Sequence, residues 1–130
     1  MTLSDIIKIL STAEGDPYLS CHIDELNFTS NIYVVGQVKP NTPGAVLGDR
    51  EAHHREKQSI SFIGELNSFG DNFHDQDFLL EHTYQVDELS YELRYFLVED
   101  IDINSEKAVL VARSGELLSL REQHDEPEFE

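Results

Sequence analysis

Residues 91–103 read YELRYFLVEDIDI, and their alternation of apolar and polar side chains restricts the fold more than any other stretch. Successive side chains of a strand point to opposite faces, so the alternation predicts one long β-strand. The predicted apolar face carries Tyr91, Leu93, Tyr95, Leu97, Ile101 and Ile103. The predicted polar face carries Glu92, Arg94, Asp100 and Asp102. A short helix over 86–94 is the alternative for the start of this run, because its spacing also fits a helix.

Other stretches carry weaker strand patterns. NIYVVGQVK places Ile32, Val34 and Val38 on one face, and SISFIGEL alternates Ile60, Phe62 and Leu66 with polar residues. LSCHIDEL (19–26) and DFLLEHTYQV (77–86) are further predicted strands. KAVLVAR and ELLSLRE flank Ser114-Gly115, which predicts a tight hairpin turn. Loops are predicted at 39–58, which is rich in Pro and Gly, and at 67–76.

One helix is predicted near the start of the chain, at about residues 3–13. Apolar residues recur there at helical spacing, and Thr2 with Asp5 forms a capping-box pattern. Gly15 is a plausible stop. The fold class is therefore α+β, with an N-terminal amphipathic helix packed on a mostly antiparallel sheet or open barrel of five to seven strands. We expect a single domain over 1–121, followed by an acidic tail, 122–130, that is predicted to be disordered.

The charge of the chain limits the partners that it can have. Its 130 residues include 26 acidic and 9 basic side chains, for a net charge of −17. Nucleic-acid ligands are excluded by this charge because their phosphates need cations opposite them, and an anionic membrane surface is excluded for the same reason. No signal peptide or membrane span is evident in the sequence, so we expect a cytoplasmic protein.

The stretch GDREAHHREKQ (48–58) concentrates cations and histidines in an otherwise acidic chain. Adjacent His53 and His54 diverge on either a strand or a helix, and the neighbouring cations Arg50, Arg55 and Lys57 would repel a metal ion. The stretch is therefore interpreted as a solvated loop or as a secondary contact to a partner.

Two other clusters resemble reactive or metal-binding sites. DNFHDQD (71–77) combines Asp71, His74, Asp75 and Asp77, but it departs from the calcium-loop pattern and is better interpreted as an acidic turn. Cys21-His22 would diverge on a strand, so a catalytic pair is not expected, and Cys21 is predicted to be a small buried residue. No nucleotide-binding or hydrolase signature is present, and we expect no metal, no cofactor and no enzyme activity.

The span from Glu65 to Glu106 carries twelve acidic residues and one base, Arg94. Dense acidic surfaces speed association with basic proteins and give specificity by complementarity. The predicted partner-binding residues are Asp71, Asp75, Asp77, Glu81, Asp87, Glu88, Glu92, Asp100 and Asp102, with Arg50 and Arg55 as secondary contacts.

These features predict an acidic protein-binding module that neutralises a basic protein. The most concrete form is an immunity protein or antitoxin that blocks a cationic toxin such as a nuclease. Two alternatives stay open. One is an acidic secretion chaperone. The other is a small enzyme with an unrecognised site, for which His53, His54, His74 and Asp75 would be the candidates.

Overall fold

A computed structural model describes residues 1–48, 57–104 and 106–119. Strands account for most of these residues. The strands are β1 (Tyr18–Ile23), β2 (Phe28–Lys39), β3 (Thr42–Gly48), β4 (Lys57–Gln58), β5 (Leu79–Gln85), β6 (Tyr91–Ile103) and β7 (Lys107–Ser119). The helices are α1 (Leu3–Leu10) and α2 (Ser59–Asn67), with a 3₁₀ turn at Asp71–Phe73.

Six of the described strands close into a barrel in the order β1-β2-β3-β5-β6-β7. Closure follows from β1, which pairs antiparallel with β2 on one side and parallel with β7 on the other. The short β4 is added to β1 at its start. The α+β class is compatible with this mostly β architecture, but the expected open sheet or open barrel is wrong.

The predicted N-terminal helix is present as α1. Its capping box forms as expected, because the amide of Asp5 donates to Thr2 Oγ1 and the amide of Thr2 donates to the Asp5 carboxylate. Leu3, Ile6 and Leu10 are buried and join the core. The expected packing is not matched, since α1 contacts both α2 and β6 and does not lie alone on the face of an open sheet.

The strand predicted for SISFIGEL is wrong, because residues 59–67 form α2. Phe62 and Leu66 are four positions apart, a spacing that fits one face of a strand and one face of a helix alike. Ile60 distinguishes the two, since it shares the strand face but is 64% exposed. Phe62 packs edge-on against Phe78 and so attaches α2 to the core.

The predicted loop over 39–58 contains a strand that the sequence did not indicate. β3 pairs with β2 and with β5, although it contains Pro43 and two glycines. A Cβ on Gly44 would lie 2.4 Å from the Leu79 carbonyl oxygen and 2.6 Å from Val38 Cγ2. Gly44 is therefore present because neighbouring strands approach closely there, and it does not mark a turn.

The hairpin predicted at Ser114-Gly115 is wrong as well. β7 runs through this point as one strand paired with β6. A Cβ on Gly115 would lie 2.5 Å from the Phe96 ring, so this glycine also marks a close approach.

β6 has the bounds that the alternation predicted, and residues 86–90 form a turn instead of the alternative helix. Its faces differ in part from the prediction, because buried Leu93 and Ile101 belong to the predicted apolar face whereas buried Phe96 and Val98 do not. Irregular pairing with β7 on both sides of Val98 accommodates the odd spacing between Val98 and Ile101. A similar shift in β2 buries Ile32 but leaves Val34 45% exposed.

The irregularity in β6 splits its predicted polar face. Glu92 and Arg94 alternate in phase with buried Phe96, so they lie on the inner side of the sheet. Asp100 and Asp102 flank buried Ile101 and lie on the outer side. The bulged segment thus separates two pairs of charged residues that a regular strand would have kept together.

Candidate functional site

The predicted partner-binding acids lie in two exposed groups and a half-buried pair. The first exposed group combines Asp71, Asp75 and Asp77, which precede β5, with Asp100 and Asp102 on β6. These two segments are neighbours, because the amide of Val98 donates to the carbonyl of Phe78. We name these five residues the acidic face.

The second exposed group, Asp87 and Glu88, lies in the turn between β5 and β6. This turn and Asp102 are near opposite ends of β6, so the two groups are roughly 35 Å apart along the strand. The predicted residues therefore do not form one continuous patch.

The two remaining predicted acids, Glu81 and Glu92, are each half-buried. Glu81 is on β5, and burial raises the pKa of its carboxyl group. Glu92 accepts a hydrogen bond from the Tyr84 hydroxyl at 3.1 Å. These two acids are thus less available to a partner than the exposed ones.

The acidic face is poorly compensated by cations. Asp77 lies 3.5 Å from the amino group of Met1. Across residues 1–48, 57–104 and 106–119, Asp71, Asp75, Asp100 and Asp102 form no salt bridge.

Several cations of the described chain are already paired with other acids. Lys39 contacts Glu116 at 2.5 Å, and Arg113 lies within 4 Å of both Asp24 and Glu99. Glu99 precedes Asp100 in the sequence, and Lys39 and Glu116 line one pocket with Asp77. These cations therefore lie near the acidic face but are engaged by other carboxylates.

The described residues include only the two ends of the basic stretch 48–58. Arg50, Arg55, His53 and His54 lie outside the described residues. Lys57 begins β4, and its ammonium group contacts the Glu65 carboxylate of α2 at 2.9 Å. At least this one cation of the stretch is therefore used within the chain.

Cys21 and His22 diverge as expected. Cys21 is fully buried in the barrel, and burial raises the pKa of its thiol. His22 lies on the other face of β1, where its Nδ1 is 2.8 Å from Thr29 Oγ1 and its Nε2 is 3.2 Å from Asp24. The prediction that Cys21 is a small buried residue is confirmed.

His74 has a structural role through its backbone. Its carbonyl accepts a hydrogen bond from the amide of Ser4, and its own amide donates to the carbonyl of Asp71. These contacts hold the acidic turn against the start of α1. Among the residues that the structure describes, no group of three or more His, Cys, Asp or Glu side chains could hold a metal ion.

A cluster of polar and aromatic side chains lies where the inner side of β5 and β6 extends past the apolar core. We call it the mouth cluster, and it consists of Glu25, Phe28, His82, Tyr84, Glu92 and Arg94. The register of β5 and β6 sets His82 opposite Arg94 and Tyr84 opposite Glu92. Two cross-strand pairs therefore place four of these side chains together.

Aromatic stacking forms one side of the mouth cluster. The rings of Phe28 and His82 are stacked with centroids 4.4 Å apart, and those of His82 and Tyr84 with centroids 5.4 Å apart. The stack joins β2 to β5 across the barrel. Burial lowers the pKa of His82 and raises that of Tyr84, and the hydrogen bond and charge of Glu92 raise the Tyr84 pKa further.

An ion pair forms the other side of the mouth cluster. Arg94 pairs with Glu25, which follows β1, and the pair links β6 to the turn between β1 and β2. Two buried nitrogens of the cluster, His82 Nδ1 and Arg94 Nε, have no hydrogen-bond partner among the described residues.

The mouth cluster was not predicted from the sequence. Its members come from four separate segments, and only the pairs His82–Tyr84 and Glu92–Arg94 each lie on one strand. Those pairs are spaced two residues apart, which is the one available signal, because it places each pair on a single strand face. Phe28 lies beside His82 because the barrel closes, and closure depends on pairing between strands that are distant in sequence.

Within the described residues, no helix is long and apolar enough to cross a membrane. No protein-family model, curated protein or solved structure matches this chain. Any function must therefore be argued from its own residues and their geometry.

Proposed function

We propose that this chain is an acidic protein-binding module that neutralises a basic protein partner. The acidic face is the surface that would meet the partner first. Long-range attraction between such a face and a cationic protein increases the association rate, and complementary charges set the orientation of the complex.

One observation carries the proposal. Asp71, Asp75, Asp100 and Asp102 are exposed on neighbouring segments, and no salt bridge to any of them exists in the described part of the chain. Clustered carboxylates repel one another and weaken the compact state, so a solvated surface gains little from them. A cationic partner would convert that repulsion into attraction.

The concrete form that we propose is an immunity protein or antitoxin for a cationic toxin such as a nuclease. A nuclease needs cations opposite phosphates, and an acidic face can occupy those cations in place of nucleic acid. Arg50 and Arg55 would supply secondary contacts to acidic groups of the toxin. Support for this form is the net charge of −17 together with the exposed acidic face.

Co-purification with the protein encoded in the adjacent reading frame tests the proposal. We expect a basic partner whose affinity falls steeply as salt rises from about 50 to 500 mM, because exposed charges are screened. The double variant Asp100→Asn with Asp102→Asn should weaken binding by roughly tenfold, at up to about 1 kcal/mol for each exposed pair.

Asp24→Asn is the control, since Asp24 is an exposed carboxylate in the turn between β1 and β2, outside the acidic face, and His22 and Arg113 lie within 4 Å of it. It should leave the affinity unchanged. Binding that ignores salt, or a partner without a basic surface, would contradict the proposal. A basic partner without toxic activity would contradict only the immunity form.

A further inference from the structure

Exposed apolar side chains concentrate at one end of the β5–β6–β7 sheet. Leu89 is 75% exposed in the turn between β5 and β6, and Leu117 and Leu118 near the end of β7 are 49% and 40% exposed. The register brings these segments to the same end, because Leu118 pairs with Leu93 and Leu117 with Arg94. We call this region the apolar tip, and it comprises Val86, Leu89, Tyr91, Leu117 and Leu118.

The apolar tip includes a strand edge that no described residue covers. β1 pairs with β7 only as far as Ala112, and the last backbone bond along that edge runs from the amide of Glu25 to the carbonyl of Arg113. From Gly115 to Ser119, the strand pairs with β6 alone within the described chain. An uncovered edge of this kind can accept another strand through its free amide and carbonyl groups.

We propose that residues 114–119 and the apolar tip bind an extended segment of the basic partner, which adds to β7 as a further strand. This inference rests on the proposed function and identifies a second contact for the same partner. Main-chain hydrogen bonds to β7 would supply affinity, and alternate side chains of the segment would supply specificity. Successive side chains of the segment point to opposite faces, so its apolar side chains would extend the surface of Leu118, and its basic side chains would lie on the face of Leu117, which also carries Glu92.

The charges around the tip determine which occupant fits. Asp87 and Glu88 lie in the turn beside it, and Glu92 pairs in register with Ser119. A segment that alternates apolar residues with lysine or arginine would place cations near these acids. A second copy of this chain would instead add its own net charge of −17 and its own acidic rim. Charge complementarity therefore favours a basic segment over a second copy.

Two synthetic probes separate the strand site from general attraction by charge. One is an alternating lysine–valine octapeptide with blocked ends, and the other is polylysine. Wild-type protein should bind both. Leu118→Asp should weaken octapeptide binding by about tenfold or more, because it removes apolar surface from the contact with the valines. Leu117→Asp, which lies on the face of the lysines, should not weaken it.

Ile60→Asp is the matched control, because Ile60 is a 64% exposed apolar residue on α2. It should leave octapeptide binding unchanged. Leu89→Asp in the turn gives a second variant at the tip should either β7 variant unfold. Polylysine binding should be the same in all four variants, and amide exchange of residues 114–119 should slow when the octapeptide is bound.

Four outcomes would overturn the inference. Octapeptide binding that is equal in all variants would remove the strand site and leave the proposed function standing. The amides of 114–119 that point away from β6 would show that the chain covers its own edge if they exchange slowly in the free monomer. A dimer that dissociates in Leu118→Asp would show that a second copy is the occupant. If wild-type protein binds neither probe, the proposed function fails first, and the inference fails with it.

Discussion

β6 and β7 form one long hairpin whose two halves behave differently. In the closed half, Val98–Ile103 pairs with Ala108–Ala112, and β1 covers the outer edge of β7. In the open half, Glu92–Phe96 pairs with Gly115–Ser119, and no described strand lies along the outer edge of β7. The same two strands therefore provide the scaffold at one end and an exposed surface at the other.

The side chains on the interior side of the hairpin also differ between the closed half and the open half. In the closed half it carries Val98, Ile101 and Leu110, which are at most 8% exposed. In the open half it carries Glu92 and Arg94 of the mouth cluster, with Leu117 opposite Arg94. The irregular pairing around Val98 is the boundary between the two halves. The apolar interior of the closed half thus ends at Phe96, which is fully buried at the border, and charged side chains follow it in the open half.

Truncating one leucine in each half should give the largest difference between them. Leu110→Ala removes a fully buried side chain from the closed half and should cost about 2–5 kcal/mol in free energy of unfolding. Leu117→Ala removes a half-exposed side chain from the open half and should cost less than about 0.5 kcal/mol. Urea denaturation of both variants measures the difference. Similar costs would mean that Leu117 is as well covered as Leu110, and the distinction between the halves would be lost.

Local patterns predicted the elements whose signals were short-range. The bounds of β6 and the capping box of α1 follow from alternation and from the spacing of Thr2 and Asp5. Phe62 and Leu66 satisfied both periods, so α2 could be distinguished from a strand only by its exposed residues. Gly44 and Gly115 were interpreted as turn signals because their close neighbours, Leu79 and Phe96, come from other parts of the chain.

The candidate surfaces were predictable only in part. Composition alone identified the acidic residues, and the exposed aspartates of the acidic face are among them. Their division between the two ends of β6 depends on strand direction and on the turn at 86–90. The irregularity near Val98, which moves Glu92 and Arg94 away from Asp100 and Asp102, coincides with a break in the alternation. Phe96 and Val98 are apolar at predicted polar positions, and Glu99 is charged at a predicted apolar one.

Two ion pairs, Arg94 with Glu25 and Lys39 with Glu116, provide the second comparison. Arg94 and Glu25 are 19% and 35% exposed, whereas Lys39 and Glu116 are 32% and 66% exposed. Glu25→Gln leaves a mostly buried guanidinium without its charge partner and should cost about 1–3 kcal/mol, less than for a fully buried pair because water still reaches both groups. Glu116→Gln should cost less than about 1 kcal/mol.

Chemical denaturation in low and high salt checks this comparison. The cost of Glu116→Gln should shrink in high salt, while that of Glu25→Gln should persist, because buried charges are screened less. Equal costs for the two variants would show that Arg94 is hydrated as freely as Lys39. The mouth cluster would then be no more than a surface feature.

The smallest expected effect is the pH dependence of stability, to which His82 and Glu81, on opposite faces of β5, contribute in opposite directions. Burial lowers the pKa of His82 on the inner face, so the unfolded chain takes up this proton more readily than the folded chain. The contribution of His82 is therefore fully present above its ordinary pKa of about 6.5 and is lost as the pH falls below it. Burial raises the pKa of Glu81 on the outer face, so the folded chain takes up that proton first and gains stability as the pH falls toward 5.

Two variants separate these opposing contributions. His82→Phe keeps a ring between Phe28 and Tyr84 but cannot titrate, so it should flatten the loss of stability below about pH 6.5. Glu81→Gln should steepen that loss, because it removes the group that acts in the opposite direction. The free energy of unfolding, measured by urea denaturation from about pH 7.5 to 5, compares both with wild type. If His82→Phe follows the wild-type curve, the imidazole is as well hydrated in the folded chain as in the unfolded one, and the stacked side of the mouth cluster is open to water.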